Sequence, residues 1–408
     1  MTNLILFDND RREQFLPLTF TRPTCELRVG ILSIREKWEL WLEGKASYIT
    51  QEYLSKKYAI EIAEDNFVIN GSVMPNEQLV RLIQQLEQNE ALMKGEELIA
   101  VRLNQDQFEH LMENEDLDEL IGYQLTETPV QQITQLPDIY KLNGDQIQSD
   151  FKKLTQFQKS KAIPEDVITD GAENIFIEDS AAIAKGVIIN ATEGPVYIGK
   201  SARIMEGCII RGPFALCDTA VLKMGAKIYG GTTVGPYCKV GGEVNNSVLI
   251  AYSNKGHDGF LGNSVIGEWV NIGADSNNSN LKNNYTSVKL WNYPTKRFVD
   301  TGEQFCGLMM GDHSKCGINT MFNTGTVVGV HCNIFGEGFP RNFIPSFSWG
   351  GKNGFMSHKY EKAMETAKIM MARRDVTLSD EDLEIFRYIQ EETAPFRSWE
   401  KSPSGKDS

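Results

Sequence analysis

Glycine is nearly missing before position 161, where 6 of the chain's 35 lie, while 29 follow. No glycine precedes Gly30, so no glycine-rich loop stands near the N-terminus to bring bare main chain against phosphates. The seven cysteines, at 25, 208, 217, 238, 306, 316 and 332, show no CxxC spacing and are odd in number, which excludes a disulfide scaffold and predicts reduced, buried thiols. Basic charge is also short: 41 Lys plus Arg face 55 Asp plus Glu for a formal −14, which argues against a nucleic-acid surface. No apolar run approaches the roughly 18 residues of a membrane span, and "MTNLILF" is too short for a signal peptide. A cytoplasmic protein without membrane or nucleic-acid partners is expected.

What is present divides the chain. At 408 residues two or three domains are expected, and the glycine contrast puts a boundary near "KSKAIPEDVITDGAEN". From Ile198 onward an apolar residue recurs every six positions: Ile198, Ile204, Ile210, Leu216, Leu222, Ile228, Val234, Val240. Two positions before the later members sit Ala202, Cys208, Phe214, Ala220, Ala226, Thr232 and Cys238, mostly small. Neither a helix nor a simple strand has this period. It is a hexapeptide repeat, whose aliphatic residues point into a triangular solenoid with three hexapeptides per coil and strands stacked in parallel. Ile177, Ile183 and Ile189 begin it, and Met310, Cys316, Phe322, Val328 and Ile334 continue it. Such prisms are left-handed parallel β-helices, an exception to the right-handed crossover rule.

The phase slips twice. Ile266 and Ile272 stand two positions out of phase with Val240, which predicts a loop leaving the coil between 241 and 260, with His257 inside it. A second slip falls around "SNNSNLKNNYTSVKLWNYPTKRFVD". Loops on a rigid scaffold are where binding and catalytic groups concentrate.

The stretch "SNKGHDGFLGNSVIGEWVNIGADSNNSNLKNNY" resembles the acetyltransferase domain of the bifunctional N-acetylglucosamine-1-phosphate uridylyltransferase/glucosamine-1-phosphate acetyltransferase family, whose pattern runs K-x-x-H-x-x-Y-x-G-D-x-x-I-G-x-x-x-N-I-G-A-G-T-x-x-x-N. The resemblance implies His257 as general base for amine acetylation by acetyl-CoA and Asn280 as the asparagine that contacts sugar or acetyl donor. The family tyrosine is Phe260 here, which keeps the ring and loses the hydroxyl. For the sugar phosphate the candidates are Arg211, Lys239, Lys255 and Lys282, none aligned without a gap. The chemistry suits the residue type: a protonated amine must lose a proton before attacking a thioester, and a group of pKa about 6.5 accepts it. Backbone N–H groups would then stabilise the oxyanion. His313 and His331, one whole coil apart, should stack; a zinc site with His257 as third ligand is the less favoured alternative.

The part of the chain before the coil, 1–160, reads as an α/β nucleotide-binding domain. "NLILFD", "KASYIT", "NFVING" and "ELIAVRLN" are strand-like, separated by helical "GILSIREKWELWLEG" and "NEQLVRLIQQLEQNEALMKG", which predicts a mostly parallel sheet. "FLPLTFTRPTCELRVGILSIREKWEL", residues 15–40, resembles the start of sugar nucleotidyltransferases, and the whole chain resembles a divergent bacterial sugar nucleotidyltransferase branch of the bifunctional family. The resemblance implies a sugar-1-phosphate attacking UTP or dTTP with Mg²⁺. Arg11, Arg12, Thr19, Arg22, Arg28, Asn70 and Gly71 are the nucleotide candidates; Asp8 and Asp10 are those for the metal, because Thr24 and Ser72 replace the family lysine and metal aspartate.

Beyond the coil, "SHKYEKAMETAKIMMARR" and "SDEDLEIFRYIQEE" predict helices, the second capped by Ser379 with Asp382, and "KSPSGKDS" is expected to be disordered. The expected architecture is an α/β domain over 1–160, a left-handed β-helix over 165–350 and C-terminal helices over 356–396, assembled as a homotrimer. Two functions stay open: a sugar-nucleotide enzyme with both activities, or a degenerate nucleotidyl domain that senses sugar nucleotides while the solenoid trimerises it.

Overall fold

The computed structural model describes residues 2–114 and 120–400; the final "KSPSGKDS" lies outside the described residues. The chain forms two units, Met1–Phe15, Arg22–Leu27 and Leu32–Thr134 in the first, and Leu16–Thr21, Arg28–Ile31 and Gln135–Ser408 in the second.

In the first unit β1 (Thr2–Phe7), β2 (Gly44–Ile49), β3 (Asp65–Asn70), β4 (Glu90–Lys94), β5 (Glu97–Asn104) and β6 (Ile121–Gln124) form one sheet in the order β2-β1-β3-β5-β4-β6. β1 runs parallel to β2 and β3, whereas β5 is antiparallel to β3 and β4, so the sheet is mixed. Helix α1 (Ile34–Leu42) starts from a Ser33–Glu36 capping box, which satisfies two otherwise orphaned N–H groups. Its Trp38, fully buried, donates to Val73 O at 2.9 Å. The stretch 76–95, expected as one helix, is helix α2 (Glu77–Gln85) and then β4. Asn89 takes a left-handed φ of 69°, which ends any helical continuation, and Ala91 and Leu92 gain more by burial against β5.

The second unit is built on a parallel β-helix of three faces. One face has six strands, from Ile168–Asp170 to Phe260–Gly262; a second has nine, from Ile175–Ile177 to Phe343–Ile344; the third has ten, from Ala182–Ile183 to Gly354–Ser357. The register confirms three hexapeptides per coil: Val196 pairs with Phe214, and Phe214 with Thr232. Every member of the hexapeptide series from Ile198 to Val240 is in one buried core. Each such side chain contributes about 1.5–3 kcal/mol on leaving water.

The first phase slip has a different cause from the one expected. No loop leaves the coil between 241 and 260; strands Glu243–Asn245, Val248–Ala251 and Asn254–Lys255 continue the three faces in turn. The coil contracts instead: Thr233 pairs with Val248, three positions short of a full coil, and Val248 with Val265, one position short. The inward positions run Val240, Val244, Leu249, Lys255, Leu261, Ile266, so a lysine occupies one of them. The second slip is an excursion: Ile272 pairs with Cys316 across a hairpin of Lys289–Asn292 and Arg297–Asp300.

One corner carries a column of residues in the left-handed conformation: Ser201, Thr219, Tyr237, Tyr252, Trp269, His313, His331 and Phe347, with φ between 53° and 61°. Six of these are rings, and successive rings stack with centroids 4.2 to 6.1 Å apart.

The chain from Gln135 also belongs to this unit. Helices α3 (Leu136–Lys141) and α4 (Asn143–Thr155) pack there with 16–21 and 28–31. Asn143 Oδ1 accepts from Gly30 N at 2.7 Å, Asp150 Oδ2 from Ile31 N at 2.8 Å, and Thr233 Oγ1 donates to Gly30 O at 2.9 Å. These backbone groups find their partners in the β-helix unit, with which 16–21, 28–31 and 135–160 group by contact. Helices α5 (Tyr360–Ala372) and α6 (Asp380–Glu392) follow the coil. Tyr360, Met364, Ala367 and Met371 bury on one side, and Ser379 and Asp382 close the expected capping box. No described helix is long and apolar enough to cross a membrane.

Candidate active sites

In the first unit the chain leaves β1, pairs β2 on one side, then crosses to place β3 on the other. The crevice beyond the carboxyl ends of two such strands is where α/β sheets bind ligands. A cavity of about 610 Å³ opens there, lined by Phe7, Asn9, Asp10, Arg11, Asn70, Lys94, Glu96, Glu97 and Leu98. Glu97 is its hub: it pairs with Arg11 at 3.1 Å and accepts from Asn9 at 2.9 Å, Asn70 at 3.1 Å and Gln132 at 2.6 Å.

Of the nucleotide and metal candidates, Asp10, Arg11 and Asn70 meet in this cavity. Asp8 has its oxygens committed to Thr24 N at 2.8 Å, Thr50 Oγ1 at 2.7 Å and the Arg12 guanidinium at 3.3 Å. Arg12 also donates to Tyr53 Oη at 2.7 Å, and Arg22 is buried. Thr19 and Arg28 lie in the second unit, where Arg28 donates to Ile250 O at 3.3 Å and to Ile31 O. Gly71 is tight against protein: a Cβ there would lie 3.1 Å from Phe7 O and 3.2 Å from Cys25 Cβ. Where a glycine loop would stand, Asn9 Oδ1 accepts from Arg11 N at 3.1 Å and opens a short 3₁₀ turn, Asp10–Phe15. Lys94, Glu96 and Glu97 belong to no motif; the β4–β5 turn brings them to the crevice.

In the β-helix His257 is exposed on the corner after Asn254–Lys255. Lys255, buried inside the coil, donates to His257 O at 2.5 Å and Asp258 O at 3.2 Å, which holds the main chain of the corner. Burial lowers its ammonium to about 8, against the pull of Asp258 and Asp275. Asn280 donates to Asn263 Oδ1 at 2.8 Å, and Gly262 lies under both Asn280 and Phe260. Asn278, buried at the next inward position after Ile272, closes on Gly262 with its Oδ1 accepting from Gly262 N at 3.0 Å and its Nδ2 donating to Gly262 O at 3.1 Å. Phe260, Gly262 and Asn280 thus form one cluster at the strand Phe260–Gly262, while His257 stands on the corner before that strand and makes no part of it.

Among the other sugar-phosphate candidates, Arg211 is exposed on the first face and Lys282 donates to Ser287 O at 2.5 Å. Lys239 lies half-buried on the third face, its ammonium lowered by burial and by Arg374, Lys223 and Arg373. His313 and His331 stack at 4.7 Å, and among the described residues no three His, Cys, Asp or Glu converge on a metal position.

Comparison with known proteins bears on both units. Residues 4–159 match the sugar nucleotidyl transferase family. An uncharacterised acetyltransferase, YaiX, of Escherichia coli strain K12 is 28% identical over 159 residues, 38% of this chain and 68% of that one. A bifunctional sugar-1-phosphate nucleotidylyltransferase/acetyltransferase of Sulfurisphaera tokodaii is 32% identical over 145 residues, 35% of this chain and 36% of that one. The bifunctional protein GlmU of Thermus thermophilus is 34% identical over 127 residues, 25% of this chain and 27% of that one.

Proposed function

We propose that the chain is a divergent member of the bifunctional sugar nucleotidyltransferase/acetyltransferase family and carries out both transfers in sugar-nucleotide synthesis, in the cytoplasm, where its seven thiols stay reduced. In the β-helix, acetyl moves from acetyl-CoA to the amine of an amino-sugar phosphate. The observation that carries this is His257, its main chain clamped by Lys255, on the corner that leads into the face of the Phe260–Gly262–Asn280 cluster. His257 takes the proton of the attacking amine, and Asn280 orients substrate. Because a strand lies between them in one chain, the second residue is supplied by a neighbouring copy. Ile168, Ile188 and Ile209, exposed and stacked in register on the first face, support a homotrimer with that face inward.

In the first unit a sugar-1-phosphate oxygen attacks the α-phosphate of UTP or dTTP beside Arg11, Asn70 and Lys94, and the α–β phosphoanhydride bond breaks to release pyrophosphate. Mg²⁺ would supply charge neutralisation on the phosphates, and Asp10, exposed at the cavity, fits it better than the fully bonded Asp8. That commitment of Asp8 also favours a second reading, in which this unit only senses sugar nucleotides.

CoA release from acetyl-CoA with glucosamine-1-phosphate and other amino sugars tests the first reaction. His257→Ala is expected to lower it by about 10² or more. Equal rates in the two proteins would remove His257 as base, and no release with any amino sugar would remove acetyl transfer. A melting temperature unmoved by UTP or dTTP with Mg²⁺ would remove the nucleotidyl reaction.

A further inference from the structure

The column of stacked rings ends abruptly. Upward from Tyr252 it is closed by Trp269, His313, His331 and Phe347, and Tyr360 of α5 stacks on Phe347 at 6.2 Å. Downward, Tyr237 is the last ring, half-exposed, and the next rung is Thr219, too small to cover it.

Helix α5 leads to the same place. Its first residue, Tyr360, stacks on Phe347, and two residues beyond its end Arg374 donates to Asn254 Oδ1 at 3.3 Å. Thirteen residues of helix span about 20 Å. The four rungs from Phe347 down to Tyr252 span about 19 Å at strand spacing, so the helix lies along the ring column. Its C-terminal arginines, Arg373 exposed and Arg374 half-buried, therefore arrive beside Lys239, which pairs in register with Asn254, and beside Lys223 one coil below. Burial, with Arg374, Lys223 and Arg373 adding to it, lowers the Lys239 ammonium, so these three cations are charged neighbours of Lys239. Four clustered cations in a chain of net charge −14 call for an anion.

Between these cations and His257 the main chain is rich in glycine. Lys239 is followed by inward Val240 and then Gly241 and Gly242; one coil up, Asn254 is followed by inward Lys255 and then Gly256. A Cβ on Gly241 would meet Gly256 O at 2.8 Å, and one on Gly242 would meet His257 O at 2.8 Å. Glycines on two adjacent coils, packed main chain against main chain, thus lie between the cationic cluster and the corner that carries His257.

We propose that Tyr237, with Lys223, Lys239, Arg373 and Arg374, binds the adenosine phosphate end of coenzyme A, the pantetheine arm lying along Gly241, Gly242 and Gly256 so that the thioester reaches His257. The adenine stacks on the face of Tyr237 that Thr219 is too small to cover. The arginine forks and lysine ammoniums take the 3′-phosphate and pyrophosphate by charge-assisted hydrogen bonds. This rests on the acetyl-transfer reading for the identity of the ligand, and on the ring and cation geometry for the place.

Calorimetric titration of the full chain with CoA, ADP and inorganic phosphate tests it. Tyr237→Thr and the double variant Arg373→Glu, Arg374→Glu are each expected to weaken CoA and ADP about tenfold or more, one tenfold step being about 1.4 kcal/mol. Tyr237→Phe is expected to hold the native affinity, and the thermal midpoint of each variant reports that the coil has formed. CoA affinity equal in native and variant chains would overturn the site while leaving acetyl transfer standing. A native chain that binds neither CoA nor ADP would also overturn it. Binding of ADP lost in both variants, without acetyl transfer to any amino sugar, would keep the site and remove the reaction.

Discussion

Gly262 shows how little room surrounds the candidate acetyl-transfer residues. A Cβ there would lie 2.5 Å from Phe260 Cζ and 2.7 Å from Asn280 Nδ2, both ends of side chains that can move. Gly262→Ala is therefore expected to displace the ring and the amide at a cost of about 1–3 kcal/mol, with the coil intact and acetyl transfer reduced. Gly235→Ala meets main chain instead, Ile250 O at 1.9 Å, and should fail to fold stably; unfolding curves for the two variants separate these outcomes. Lys255 is the residue that departs furthest from its neighbours, a cation where the repeat places an aliphatic side chain. Its native pKa of about 8 lies below the unfolded value of about 10.4, so the folded chain holds fewer protons between these limits and its contribution to stability rises with pH through that window. Because a buried charge is seldom a net gain over an apolar residue, Lys255→Leu should keep the thermal midpoint at pH 7 while lowering acetyl transfer, its carbonyl clamp on His257 being lost. A midpoint that falls sharply would show that the clamp serves the fold rather than the corner.

At the scale of the coil, the hexapeptide period was legible because each inward residue from Ile198 to Val240 is aliphatic and spaced by six. The contraction that follows was not, because Lys255 and Asn278 fill inward positions that a hydrophobicity pattern reads as surface. The residues that make the candidate corner unusual are thus the ones that erase its signal, and a tightened coil was read as a loop. The stacking of His313 on His331 needed only their spacing of one full coil. The rest of the column needed the register of shortened coils, since Tyr252 and Trp269 fall three positions and one position short of a full coil after their predecessors. Burial, with His313, Lys315 and His358 adding to it, holds the His331 imidazole well below its ordinary pKa. An unfolded histidine takes a proton as pH falls through about 6.5 and the native one does not, so this group's contribution to stability is lost below that value, by up to about 1.4 kcal/mol per pH unit. Denaturant unfolding at pH 7 and pH 5.5 should show native stability falling faster than that of His331→Phe, which keeps a ring in the column. Parallel loss in both proteins would assign the acid sensitivity elsewhere.

For the whole molecule, the glycine contrast located the start of the coil, while the earlier segments that group with the coil by contact carry no such signal. Residues 16–21 and 28–31 read as the phosphate-binding opening of the first domain, since nothing in "PLTFTRPTCELRVG" has a period that would assign it to a solenoid. Their partners are what decide: Thr21 Oγ1 donates to Asp312 Oδ2 at 2.7 Å, Arg28 to Ile250 O, and Gly30 and Ile31 to the side chains of Asn143 and Asp150. Gly30 itself sits at φ 97°, where a Cβ would lie 2.4 Å from Asp150 Oδ2. A chain of residues 161–408 alone would strip those segments and α3–α4 from the coil, exposing Phe214 and Thr233, which are fully buried in the intact unit. Buried polar groups left without partners cost about 1–3 kcal/mol each, so this fragment should melt well below the β-helix of the full chain. Adding residues 135–160 restores two helices but not the N-terminal segments, and should recover only part of the difference. Calorimetry of the three proteins settles the point: a 161–408 fragment as stable as the full chain would mean that the solenoid is an independent domain and that the early segments merely lie on it.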